Sequence, residues 1–135
     1  MPVRESFPTL IKVSHRNLKA AKLLANIDDP EIELACYLCQ QCSETSLKAF
    51  LDFHGIEYKF THDLERLCND CIEIDKSFTT ILNPCLILTY YSSDIRYLDD
   101  GLISERDMHE AIELAEEVLE FVKVKCSKPI NDQNH

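Results

Sequence analysis

The sequence predicts an all-α protein, an up-and-down bundle of four to five helices, and three observations carry that prediction. Apolar residues recur at three- and four-residue spacing along most of the chain, as the buried face of a helix requires. No run alternates apolar and polar residues strongly enough to compete as a strand. Only two glycines and five prolines stand among 135 residues, so turns are few and elements long. One domain is expected over 1–135, with its core over about 9–125 and a flexible tail over 126–135.

The first helix is predicted from Thr9 to Asn26, with Leu10, Val13, Asn17, Ala21 and Leu24 as its stripe and Ile11, Leu18 and Leu23 broadening it. The second runs from about Pro30 to Phe53. Asp29 suits its cap, proline at the first position loses no hydrogen bond, and Glu31 meets the positive end of the dipole. It stops at His54-Gly55, where glycine can take the left-handed conformation. Thr61 is the expected cap of a third helix ending near Asp75, with Leu64, Leu67, Cys68, Cys71 and Ile72 on one face. Phe78 to Leu82 reads as a helical turn. Asn83 as cap and Pro84 as first residue then start a fourth helix reaching about Tyr97. Asp99-Asp100-Gly101 reads as a turn, and Ser104 with Asp107 forms a capping-box pattern for a last helix ending near Lys125.

Acidic residues outnumber basic ones 24 to 14, a net charge of −10 and the wrong sign for a surface that wraps a phosphate backbone. Any nucleic-acid contact must be local. The seven cysteines are odd in number, the chain is not loop-rich, and MPVRESFPTL lacks the apolar core of a signal peptide. Reduced thiols in the cytoplasm are therefore expected. The most apolar stretch, Ile81 to Leu88, is far shorter than the roughly 20 residues that cross a bilayer, so no membrane contact is expected.

Four constellations could carry chemistry. Cys36, Cys39 and Cys42 followed by Cys68 and Cys71 resemble the ligand count of a zinc site, but both groups fall inside helical periods, where cysteine usually serves as a small buried hydrophobe. Core packing is the reading adopted, with thiols from adjacent helices meeting at a metal as its alternative and no cofactor required. In QQCSETSLKAFL, Glu44 and Lys48 stand four apart and can pair on one helical face, as a solvated ion pair or within a site. In THDL, His62 falls in the first helical turn, near the dipole's positive end, where anchoring a loop is the simpler role. In YYSSDIRY, the Arg96 guanidinium presents a fork of donors suited to phosphate oxygens, and the tyrosines offer flat faces for a base or a partner helix. A capping arginine paired with Asp94 or Asp99 explains the same residue equally well.

In this order, QQCSETSLKAFL, THDL, YYSSDIRY and S-x-x-D before a final helix, the chain resembles the HEPN domain family over about Thr9 to Lys123. The resemblance implies a bundle of four or five helices, usually a homodimer, with the arginine of the third segment near the dimer cleft. Many members are metal-independent ribonucleases with an arginine followed, after four to six residues, by a histidine. Others lack that motif and are thought to bind nucleotides or to accompany a separately encoded minimal nucleotidyltransferase. This chain departs from the nuclease pattern: after Arg96 those positions hold Gly101, Leu102 and Ile103, and Arg4, Arg16, Arg66 and Arg106 fail the same test. RNA cleavage through the 2′-hydroxyl needs a proton-transfer group titrating near neutrality, which imidazole provides. The residues that carry over are Gln41, Glu44 and Lys48, then His62 and Asp63, then Tyr91, Arg96 and Tyr97. The expected function is a nucleotide- or partner-binding module in a toxin-antitoxin-like or stress-related pair, with a metal-independent endoribonuclease of atypical motif, using Arg96 with His62 or a tyrosine, as the alternative.

Overall fold

The computed structural model describes residues 6–92 and 103–127. Five α-helices and no strand occur among them: α1 (Phe7–Ala25), α2 (Ile32–Phe53), α3 (Leu64–Ile74), α4 (Leu82–Leu88) and α5 (Glu105–Cys126). A 3₁₀ segment, Lys76–Ile81, leads into α4, and a 3₁₀ turn, Thr89–Tyr91, follows it.

Helix α2 is the centre of the bundle and packs against all the others, most extensively against α1 and α5. Small side chains let α1 and α2 approach closely. The buried face of α1 is Leu10, Ser14, Leu18, Ala21 and Ala25, and Ser14 hydrogen-bonds Thr45 and Ser46 across the interface. This face is rotated from the expected stripe: Leu23, placed on it by spacing, is 61% exposed. Ser14 and Ala25, which no apolar stripe includes, line this face, where Ser14 meets the hydroxyls of Thr45 and Ser46. The buried face of α5 is Met108, Ala111, Ala115, Val118, Leu119, Val122 and Cys126, with Ile112 half-buried beside it.

The helix ends show where local rules held and where tertiary contacts overrode them. Helix α1 begins two residues before the expected start, with Pro8 in its first turn and the Phe7 amide donating to the Asp52 carboxylate at 2.8 Å. Helix α2 begins at Ile32, not Pro30, and Asp29 does not cap it. The Glu31 amide instead donates to the Leu24 carbonyl at 3.2 Å, so the intervening residues close the turn from α1. At its far end Gly55 has φ +70°, and the amides of Gly55 and Ile56 return to the carbonyls of Asp52 and Leu51, the bonding of a Schellman cap.

Asp63, not Thr61, caps α3, accepting from the amides of Glu65 at 3.1 Å and Arg66 at 3.4 Å. Thr61 makes a local turn by accepting from the Asp63 amide. Helix α4 starts at Leu82 because the preceding 3₁₀ segment already supplies a turn for it, and Asn83 is not its cap. Pro84 then sits within the first turn, where its missing N–H breaks no bond. The α-helix ends at Leu88 rather than near Tyr97, and Ser92 is extended. The capping box of Ser104 and Asp107 is present in both directions, at 3.1 and 3.0 Å. Helix α5 ends at Cys126, and the rest of the expected tail beyond Ser127 lies outside the described residues.

Candidate functional site

Gln40, Glu44 and Lys48 follow one another at four-residue spacing on α2, so one face of the helix presents an amide, a carboxylate and an ammonium in line. All three are buried. Burying charge is costly unless partners replace the lost water, and here they do. Glu44 Oε2 accepts from Lys48 Nζ at 2.8 Å, and Oε1 faces His62 Nδ1 at 2.7 Å and Gln40 Nε2 at 3.3 Å. Among the described residues no buried side-chain nitrogen or oxygen lacks a hydrogen-bond partner.

The cluster reaches beyond α2. Gln40 Nε2 also donates to the His62 carbonyl at 3.0 Å, and Gln41 Nε2 donates to Gln40 Oε1 at 2.8 Å. Thr89 Oγ1, just after α4, donates to the same His62 carbonyl at 3.3 Å and accepts from the Leu64 amide at 3.2 Å. Lys48 Nζ lies 5.6 Å from the centre of the Tyr58 ring, within cation–π range. Thus α2, the loop before α3 and the end of α4 are tied at His62. Its backbone is pinned from two sides, its Nδ1 meets a buried carboxylate, and its side chain is still 62% exposed. Nε2 has no hydrogen-bond partner among the described residues. Because Asp63 is the cap, His62 lies before α3 and not in its first turn as expected.

The structure therefore brings together Gln41, Glu44, Lys48 and His62. It does not bring Asp63 or Tyr91 into that cluster. The Asp63 carboxylate is taken by the α3 amides. Tyr91 is buried, its hydroxyl pushed upward by burial and next by Cys36 and the acidic Asp107 and Glu110. Cys36 is eight residues from Glu44, about 12 Å along α2. Arg96 and Tyr97 lie outside the described residues. Reading for motifs missed Gln40 and Thr89. The four-residue spacing of Gln40, Glu44 and Lys48 is a signal that would have found the first; nothing local marks the second.

The cysteines do something different. All seven are buried; Cys42 points at the Ala115 carbonyl, Cys68 at that of Phe78 and Cys71 at that of Leu47, and a hydrogen bond with Cys85 lowers the Cys68 thiol. Burial pushes the thiols of Cys36, Cys42 and Cys126 up to about 12, which disfavours the thiolate that a metal or a nucleophile role needs. No group of three or more histidine, cysteine, aspartate or glutamate side chains able to hold a metal occurs among the described residues. No helix among them is long and apolar enough to cross a membrane.

The HEPN domain model matches residues 8–125. Among solved structures, the archaeal HEPN homologue ST0689 is 28% identical, with a TM-score of 0.74 over 91% of this chain and 99% of its own. TT1696 from Thermus thermophilus shares the fold at 22% identity, with a TM-score of 0.75 over 88% of this chain and 97% of its own. No curated protein matches.

Proposed function

The chain belongs to the HEPN domain family, and from that premise we propose that it is a binding module that holds a nucleotide at the Glu44 cluster with help from Arg96. One observation carries this reading: a polar network with a buried carboxylate and ammonium at its centre holds an exposed imidazole in one orientation. A network that served packing alone would have no reason to leave that ring in water. Arg96 follows Thr89, which is bonded to His62, by seven residues in the sequence. A guanidinium and an imidazole are both suited to phosphate oxygens, and Tyr97 provides a face for a base.

In this reading the protein works in the cytoplasm as a single-domain homodimer beside a separately encoded minimal nucleotidyltransferase, in a toxin-antitoxin-like or stress-related pair. That pairing rests on the family and on the missing nuclease histidine. The endoribonuclease alternative keeps one supporting observation, the carboxylate behind His62, which is the arrangement that orients a proton-transfer imidazole. Calorimetric titration with nucleoside triphosphates and short single-stranded RNA, with the RNA recovered afterwards, separates the two. The binding module predicts nucleotide binding weakened at least tenfold by Arg96→Ala, with RNA intact. RNA cleavage lost in the same variant would favour the nuclease, and binding unaffected by it would remove Arg96 from the site.

A further inference from the structure

We propose that His62 Nε2 is the phosphate-contacting donor of this site, positioned by Glu44, and that its protonation makes ligand binding depend on pH. The inference rests on the nucleotide-binding reading and specifies its contact and its regulation.

Three features of the geometry lead there. First, the ring is fixed from behind: Glu44 Oε1 at Nδ1 sets which nitrogen faces inward, and two donors on the His62 carbonyl, from Gln40 and Thr89, hold the backbone. Nε2 is then the outward atom. Second, the charges nearby leave the imidazole as the variable one. From α2 the ring meets Glu44, whose other oxygen is paired with Lys48 at 2.8 Å. From the start of α3 its neighbour is Asp63, whose carboxylate is engaged with backbone amides, and beyond it the exposed Glu65 and Arg66. From the turn after α4 it meets Thr89, which is neutral. Protonating His62 therefore adds one positive charge to a cluster whose other two cancel, on a chain of net charge −10. Third, a net charge of −10 disfavours anions overall, so a positive charge added at the cluster favours a phosphate there. The neutral ring, with Nδ1 carrying its proton toward Glu44, offers Nε2 as an acceptor and repels a phosphate oxygen; the protonated ring donates to it.

The experiment is a titration with ATP and with inorganic tripolyphosphate at pH values from 6 to 8, on the wild type and on His62→Gln. Binding that needs one proton weakens by up to about tenfold per pH unit above the titration midpoint. The proposal predicts that slope for both ligands and its loss in His62→Gln. A slope retained in His62→Gln overturns the inference while leaving the binding module standing; no binding of either ligand at any pH overturns both. A second measurement needs no variant: NMR titration of the His62 imidazole, in which tripolyphosphate raises the midpoint by linkage. A midpoint unmoved by saturating ligand contradicts the proposal.

Discussion

Glu44 holds a carboxylate where only 6% of its side chain meets solvent, and its neighbour Lys48 holds an ammonium at 11%. Removing one member of such a pair strands the other's charge in the interior, whereas removing both removes the penalty as well. Lys48→Met is therefore expected to lower stability by roughly 3 kcal/mol, and the double variant Glu44→Gln, Lys48→Met by less than the sum of the single changes. Urea unfolding of the three variants measures it; strict additivity would mean that the pair is not coupled. At this scale the sequence displayed the partners Glu44 and Lys48, because helical spacing alone places them together. It hid the third partner, since His62 reaches Glu44 through a loop whose path depends on Gln40 and Thr89. Gln41, chosen from the motif, supports Gln40 rather than Glu44.

Helix ends were legible where one residue type decides them and ambiguous where two compete. Gly55 is the first case: its φ of +70° is open to glycine and strained for other residues, and no atom lies within 4 Å of where a Cβ would stand. Gly55→Ala should thus lower stability by about 1 kcal/mol through the backbone alone. The Ser104 cap is similar, and Ser104→Ala should cost about 1 kcal/mol by freeing the Asp107 amide. Thermal unfolding of each variant checks both; an unchanged Tm would place the stop or start of the helix elsewhere. The start of α3 is the second case. Thr61 and Asp63 are both good caps, and the choice falls to Asp63 because the His62 carbonyl is pinned outside the helix by α2 and Thr89. No spacing rule contains that contact. Likewise, the early start of α4 depends on the 3₁₀ segment that Asp75 caps by accepting from Ser77.

Over the whole molecule, the all-helical architecture was readable because apolar periodicity and scarce glycine point the same way, and the cysteines proved to be core. Their titration gives the bundle a distinct alkaline limit. Folding raises the thiols of Cys36, Cys42 and Cys126 from 9.0 to about 12, so the folded state binds the proton more tightly than the unfolded chain does. Their contribution is fully present below about pH 9 and is lost as pH rises from there toward 12. Denaturant midpoints should stay level from about pH 7 to 8.5 and fall steadily above about 9. Native thiols should also resist a disulfide reagent until the chain unfolds; rapid reaction of several thiols in the folded protein would contradict their burial. The proposed place for an anion is the Glu44–Lys48 pair with the exposed His62 ring beside it. Placing that ligand is the most direct test: add ATP to ¹⁵N-labelled protein and map the NMR shifts. Binding at the cluster predicts saturable changes centred on the Gln40 and Lys48 amides and the His62 ring, joined by Arg96; changes confined to α1 and α5, or none at millimolar ATP, would contradict it.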